Sequence, residues 1–288
     1  CSIGVFLKSN FVSTSFGQFA YESVGHSVSS ILFLHGGAAN VRAWDGVVDC
    51  LSGKYRCISI DLPAHGLTQI QQLPFEALSQ AIAEITQSLS LVRPYLVGHS
   101  FGGLVGITSA IYQGEAVAGV MTLDSFVSSL EVKGSFSEVA QATTALRNME
   151  WPWREVQDLE PEVERCLANL SVPRKSTEQS KAMIRRGYRL QENGSYVRYP
   201  RVEDEIGGVV ANWSIDIEAI YSAVPSRLCI ALAKSGLPNL PLRREVTNRI
   251  CSRHANFSSL EFDCGHDIPG FLPDELAQGI DQWISAAE

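Results

Sequence analysis

Short apolar runs alternate with helix-like segments along the first part of the chain. The runs Ser30–Leu34, Tyr55–Ile60, Tyr95–Val97 and Val117–Leu123 have the length of strands, and amphipathic segments such as Phe75–Leu91 separate them. A fully apolar run of this length is typical of a strand buried on both faces. The pattern therefore predicts a parallel sheet with helices on both sides.

The alternation stops after the fourth run and resumes about a hundred residues later. Two further strand-like runs, Ile3–Leu7 and Gln18–Ser23, open the chain. We expect an α/β fold with a mostly parallel sheet of about eight strands and helices on both faces. Residues 1–125 and 223–288 would form the core, and 126–222 a helical cap or lid inserted after strand six. Insertions of this length are normally functional.

Composition narrows the class of protein. The chain has 288 residues, 45% of them hydrophobic, and a formal net charge of −8. A large core is therefore available, and a nucleic-acid partner is disfavoured because it requires a basic face.

No apolar run is long enough for a transmembrane helix. Seven cysteines without a C-x-x-C pair indicate a reducing compartment, so we expect a cytoplasmic protein that needs neither a metal nor a cofactor.

One serine lies between two glycines, directly after an apolar run. Residues Gly98–Gly102 have the sequence GHSFG, and a helix-like segment follows them. This is the G-x-S-x-G spacing of a nucleophile elbow, in which a strained strand-to-helix turn exposes the serine oxygen. The spacing also occurs by chance, but the strand before it and the helix after it supply the required context. We predict that Ser100 is a nucleophile.

A second glycine-rich turn, His35-Gly36-Gly37, follows the run that ends at Leu34. Its backbone is free to approach a substrate oxygen, so we predict that the N–H groups of Gly37 and Phe101 form an oxyanion hole. His35 itself is expected to be a structural hydrogen-bonding residue. Four residues are assigned to the substrate pocket, two beside these turns and two in the insertion: Gly36, His99, Trp151 and Trp153.

His266 follows the last apolar run and precedes the terminal helix. This position lies at the carboxyl edge of a parallel sheet, where ligands bind in open α/β folds. His266 also comes after Ser100 in the chain, in the order expected of a base that serves an elbow serine. We predict that His266 is the base.

The acidic partner of this histidine is less obvious. Its usual place is the loop after the seventh strand, but residues 226–244 contain no carboxylate. Asp124 follows the sixth predicted strand, and one helix and one strand bring it back to the edge that carries Ser100. We therefore predict that Asp124 is the acid, with Asp267 and Asp263 as alternatives.

Together these residues resemble the α/β-hydrolase superfamily, over nearly the whole chain except the insertion. The resemblance is carried by four segments: His35–Gly37 with Trp44 downstream, Asp61–Thr68, Val97–Gly103, and Gly265-His266. It implies that Asp124 orients His266, which takes the proton of Ser100 as an acyl-enzyme forms. An acid after strand six is similar to the arrangement in some haloalkane dehalogenases and related lipases.

The resemblance implies a serine hydrolase of the carboxylesterase or thioesterase type. Its substrate would be an ester, thioester or lactone of a mostly apolar small molecule, and a coenzyme A or carrier-protein thioester fits the same chemistry. Three alternatives stay open. They are hydrolysis of a carbon–carbon bond next to a ketone, acyl transfer or cyclisation in biosynthesis, and ligand binding with slow turnover, because a fold alone does not choose among functions.

Overall fold

The computed structural model of the chain describes residues 9–125, 144, 155–170, 176–205, 207 and 216–286. The strands are β1 Asn10–Thr14, β2 Gly17–Val24, β3 Ser30–Leu34, β4 Arg56–Ile60, β5 Tyr95–His99, β6 Gly119–Leu123, β7 Glu155–Val156, β8 Tyr188–Leu190, β9 Tyr196–Arg198, β10 Arg227–Ser235 and β11 Phe257–Gly265. The α-helices are α1 Asp45–Leu51, α2 Phe75–Ser88, α3 Phe101–Gln113, α4 Leu159–Ala168, α5 Thr177–Arg186, α6 Ile217–Ser222, α7 Leu240–Cys251, α8 Ile268–Phe271 and α9 Pro273–Ser285. Among these helices, none is long and apolar enough to cross a membrane.

Eight of the strands form one sheet in the order β1-β2-β4-β3-β5-β6-β10-β11. The pairs β1–β2 and β2–β4 are antiparallel, and every pair from β4 to β11 is parallel. The expected mostly parallel sheet of about eight strands is therefore confirmed. The run Ile3–Leu7 lies outside the described residues, and the first strand of the sheet is Asn10–Thr14 instead.

Helices cover both faces of the sheet because the buried strands are apolar on both sides. In β3, Leu32 and Leu34 belong to the core cluster that contains residues of α2 and α3. Ile31 and Phe33 point the other way, into the cluster that contains residues of α1 and α9. Successive side chains of a strand alternate between faces, so one apolar strand fills two layers.

The described part of the insertion contains helices and a small sheet. Strands β7, β9 and β8 pair antiparallel, and α4 and α5 pack on each other. Tyr188, Val163 and Ile184 belong to a separate small core. By contrast, Tyr221 of α6 is fully buried in the main core, so the chain packs on the sheet again from this helix.

A buried arginine joins the insertion to the sheet. Arg186, the last residue of α5, donates from Nε to Asp61 Oδ2 at 2.9 Å and from Nη1 to Glu22 Oε1 at 2.9 Å. Side-chain exposure is 7% for Arg186 and 0% for Asp61. Asp61 also accepts from the backbone N–H groups of Val41 and Leu67. A charge buried this deeply needs its partner, so this pair anchors the insertion.

Replacing Arg186 by methionine should lower the free energy of unfolding by about 3–5 kcal/mol, because Asp61 then keeps a buried charge without a cation. The neighbouring residue supplies a matched control. Arg185 pairs with Glu160 at the surface, with the side chains 33% and 59% exposed, and Arg185→Met should change stability by about 0–1 kcal/mol. Urea unfolding measures both variants. Equal losses in the two would contradict the anchoring role of Arg186.

Candidate active site

Ser100 lies in a strained turn between β5 and α3. Its backbone dihedrals are φ 52° and ψ −118°, a region that costs a non-glycine residue about 1–3 kcal/mol. Three hydrogen bonds hold the turn. Ser100 N–H donates to the Leu123 carbonyl at 2.9 Å, and the Ser100 carbonyl accepts from Gly103 N–H at 3.0 Å and from Ser125 Oγ at 2.8 Å. The turn therefore has the conformation that the GHSFG spacing predicts.

The glycines around Ser100 are required by close backbone contacts. A Cβ on Gly98 would overlap the backbone of Gly102, and a Cβ on Gly102 would overlap the carbonyl of Leu34 at the end of β3. A Cβ on Gly36 would lie 3.2 Å from Ser100 Cβ. The serine turn and the His35–Gly37 turn are therefore direct neighbours.

The orientation of the His35–Gly37 turn depends on a buried imidazole. His35 Nδ1 donates to the Gly36 carbonyl at 2.7 Å, and Nε2 accepts from Leu62 N–H at 3.0 Å. Burial is the main reason that the pKa of His35 lies well below its usual range, and the neighbouring His65 lowers it further. The ring is therefore neutral. A trans peptide directs its N–H opposite to its carbonyl, so Gly37 N–H points away from His35.

The second predicted donor is Phe101 N–H. Phe101 is the first residue of α3, and the N–H groups of the first helical turn have no intrahelical acceptor. The N-terminus of a helix also carries a partial positive charge that favours an anion beside it. Both predicted donors thus lie on turns that adjoin Ser100, and their role as an oxyanion hole stays a prediction.

Asp124 and His266 lie within hydrogen-bond distance of each other. His266 Nδ1 donates to Asp124 Oδ2 at 2.7 Å. Asp124 follows β6 and His266 follows β11, so both residues stand at the carboxyl ends of their strands, as Ser100 does after β5. The predicted acid and base are therefore brought together at the predicted edge of the sheet.

The Asp124 carboxylate is fully buried but has four hydrogen-bond donors. Oδ1 accepts from Ala233 N–H at 3.0 Å and from Arg243 Nη2, and Oδ2 accepts from Leu237 N–H at 3.2 Å as well as from His266. Burial acts to raise the pKa of Asp124, but the hydrogen bonds from His266, Arg243 and Ala233 outweigh it and hold the pKa below its usual value. The site therefore keeps this carboxylate ionised.

His99 binds the backbone of the histidine loop. Its Nε2 donates to the His266 carbonyl at 2.8 Å, and the two rings lie 4.8 Å apart. Burial lowers the pKa of His99 to about 4. The ring is therefore a neutral donor that holds His266 in place, and its assignment to the substrate pocket stays a prediction.

The other candidate residues have different surroundings. Asp267 Oδ1 accepts from Gly270 N–H at 3.2 Å and caps α8. The Asp263 side chain is 82% exposed and lies 3.9 Å from Lys234 Nζ. Trp151 and Trp153 lie outside the described residues. Within the ranges that the structure describes, His, Cys, Asp and Glu side chains form no group arranged to hold a metal.

Three residues that support this site were not identified from the sequence. Ser125 donates to the Ser100 carbonyl, and Arg243 binds the predicted acid. Glu205, from the insertion, accepts a hydrogen bond from Ala38 N–H at 2.8 Å. Their hydrogen-bond partners lie 25, 119 and 167 residues away in the chain. The only signal for Arg243 in the sequence is its position in the carboxylate-free stretch 226–244, which the structure shows to end in helix α7.

Comparison with known proteins identifies a matching family model and several relatives. Residues 31–278 match the family model described as the Alpha/beta hydrolase family. Esterase Rv0045c of Mycobacterium tuberculosis is 24% identical over 204 residues, 69% of this chain and 65% of that protein. A pimeloyl-acyl-carrier protein methyl ester esterase of Nitrosomonas europaea is 30% identical over 123 residues, 43% of this chain and 41% of that protein. The match thus spans less than two thirds of these relatives.

Solved structures share the fold at low sequence identity. E-2-(acetamidomethylene)succinate hydrolase superposes with a TM-score of 0.77 at 17% identity, covering 97% of this chain and 99% of that one. The structure of the M. tuberculosis esterase Rv0045c has a TM-score of 0.72 at 18% identity, covering 98% and 93% of the two chains. These similarities show the fold alone.

Asp124→Asn should keep the shape of the site and remove its buried negative charge. Hydrolysis of a p-nitrophenyl ester should then slow by roughly 10²–10⁴-fold, because His266 loses the group that orients it and stabilises its protonated form. Asp263→Asn, which removes an exposed carboxylate, is the control and should retain wild-type turnover. Activity of Asp124→Asn within a few-fold of wild type would show that another group orients His266.

Proposed function

The chain belongs to the Alpha/beta hydrolase family, and from that premise we propose that it hydrolyses esters or thioesters through an acyl-enzyme on Ser100. The observation that carries the proposal is the 2.7 Å hydrogen bond between His266 Nδ1 and Asp124 Oδ2, at the same sheet edge as the strained Ser100 turn. A serine in this turn, with a base held by a buried carboxylate, is the arrangement that nucleophilic catalysis requires.

In the proposed acylation step, Ser100 Oγ attacks the carbonyl carbon of the substrate while His266 Nε2 takes the hydroxyl proton. Asp124 stabilises the resulting imidazolium. The carbonyl oxygen becomes an oxyanion and accepts hydrogen bonds from Gly37 and Phe101 N–H. When the tetrahedral intermediate collapses, the bond to the leaving oxygen or sulfur breaks, and His266 returns the proton to it.

Deacylation repeats these steps with water as the nucleophile. His266 takes a proton from water, the resulting hydroxide attacks the acyl carbon, and the Ser100 oxygen leaves with that proton. The products are a carboxylic acid and the free enzyme. A substrate hydroxyl in the place of water would give acyl transfer or lactone formation, so exclusion of water from the site would decide between the two outcomes.

The proposed substrate has a mostly apolar acyl group, covered by the insertion. The support is the aromatic content of residues 126–222 in the sequence. One aromatic residue of this segment, Tyr188, packs in the insertion's own small core instead, where its hydroxyl donates to Glu162 Oε1 at 2.8 Å. The similarity to pimeloyl-acyl-carrier protein methyl ester esterases favours an acyl group on a carrier protein as one form of this substrate.

A fluorophosphonate probe should label the wild-type protein once, on Ser100, because an activated serine displaces fluoride from the probe's phosphorus and becomes a phosphonate ester. Ser100→Ala should abolish the label and lower ester turnover by about 10⁴–10⁶-fold while the protein stays folded. Ser88→Ala, which removes an exposed hydroxyl at the end of α2, is the control and should remain labelled. Intact-mass spectrometry measures the label, and labelling of Ser100→Ala would overturn the assignment.

The length of the acyl chain tests the substrate class separately. Each methylene buried in an apolar pocket contributes about 0.8 kcal/mol, so kcat/KM for p-nitrophenyl esters should rise severalfold per carbon from acetate until the pocket is full. A flat or falling series, measured under initial-rate conditions, would contradict an apolar acyl pocket. It would leave the assignment of Ser100 intact.

A further inference from the structure

The insertion contacts the predicted oxyanion turn through one carboxylate. Glu205 Oε1 accepts a hydrogen bond from Ala38 N–H at 2.8 Å. A Cβ placed on Gly37 would lie 3.0 Å from Glu205 Oε2, so any larger residue at that position would press on the carboxylate. The Glu205 side chain is only 18% exposed. This contact joins the insertion to the residue that follows the proposed oxyanion donor.

The Ala38 backbone needs this support. Its φ is +54°, in the left-handed region that an alanine rarely adopts. The one hydrogen bond described within the turn's own backbone, from Ala39 N–H to the Gly36 carbonyl, is long at 3.4 Å. The hydrogen bond from Ala38 N–H to Glu205 Oε1 is shorter, at 2.8 Å, and lies within the range of a well-formed N–H···O bond. Glu205 is therefore the stronger restraint on this conformation.

Two successive peptide planes in the turn are each held by a hydrogen bond to a side chain. His35 binds the Gly36 carbonyl and so orients the plane that contains Gly37 N–H. Glu205 binds Ala38 N–H and so orients the next plane. Gly37 lies between them, and without either restraint its torsions are free to turn the N–H away from the substrate oxygen.

Glu205 also lies against a second core turn. Its Oε1 is 3.5 Å from His65 Nε2, and His65 Nδ1 donates to the Pro63 carbonyl at 2.8 Å. One carboxylate therefore touches the turns that follow β3 and β4.

We propose that Glu205 is a positioning residue for the oxyanion hole. By accepting the Ala38 N–H, it holds the turn in the shape that presents Gly37 N–H to the developing oxyanion. This role rests on the proposed esterase function. A negative charge beside an oxyanion opposes its formation, so the benefit must come from the hydrogen-bond acceptor and not from the charge. Glutamine keeps an acceptor oxygen, so a Glu205→Gln variant should retain the positioning role.

Three variants of the protein separate these effects. Glu205→Ala removes the acceptor, Glu205→Gln keeps it without the charge, and Glu203→Ala removes an exposed carboxylate two residues earlier. Turnover of p-nitrophenyl acetate and the rate of fluorophosphonate labelling of Ser100 are measured for each, with the melting temperature. Should Glu205→Ala not fold, Glu205→Met fills similar space without an acceptor and gives the same test.

Glu205→Ala should lower kcat about 10- to 100-fold with KM within about threefold of wild type, since a small displacement of a catalytic donor costs up to about 10² in rate. Labelling should slow in parallel. Glu205→Gln should restore both rates to within about threefold of wild type, and Glu203→Ala should match wild type. Rescue by glutamine supports the positioning role.

Other results overturn the inference. Equal loss in Glu205→Gln and Glu205→Ala would assign the effect to charge, and a gain in both would mean that the carboxylate obstructs the site. A lower melting temperature with unchanged kcat would reduce Glu205 to an anchor for the insertion. If the probe does not label the wild-type protein, the proposed function is contradicted as well. If it labels wild type and Glu205→Ala at equal rates, only this inference is contradicted.

Discussion

The buried carboxylate of Asp124 accepts hydrogen bonds from two backbone N–H groups, from Arg243 and from His266. A charge in a protein interior is stable only when such partners replace the water it has lost. Its donors come from β10, from the loop after β10, from α7 and from the loop after β11. One ionised side chain thus ties together four segments that follow the insertion, and it holds the His266 imidazole at the sheet edge that also carries the serine turn.

Further hydrogen bonds hold the two turns that lie beside His266 and Asp124 at this edge of the sheet. The strained Ser100 turn is held by hydrogen bonds from Gly103 and Ser125 to its carbonyl, and the neighbouring glycine turn is oriented by His35 from the core and by Glu205 from the insertion. Parallel strands place their carboxyl ends together, so residues far apart in the chain meet without long connecting loops. Through Glu205 the insertion contacts the turn that carries the proposed oxyanion donor.

Local patterns in the sequence were sufficient for the sheet and for the positions of Ser100, Asp124 and His266, because apolar runs mark buried strands and their ends mark one edge. Edge strand β1 was missed because its sequence, NFVST, has only Val12 buried and so lacks a continuous apolar run. Contacts such as Arg243 with Asp124 and Glu205 with Ala38, separated by 119 and 167 residues, depend on how the insertion and loops pack, which no local pattern encodes.

The claim that Asp124 holds the His266 imidazole can be tested most directly by proton NMR, without any substrate. A proton shared between an imidazole Nδ1 and a carboxylate is strongly deshielded, so the wild-type protein should show one far-downfield resonance from His266. That resonance should be absent in His266→Gln and in Asp124→Asn, and present in Asp267→Asn. A resonance that persists in Asp124→Asn, or that disappears in Asp267→Asn, would contradict the account, because the carboxylate partner of His266 would then be a different residue.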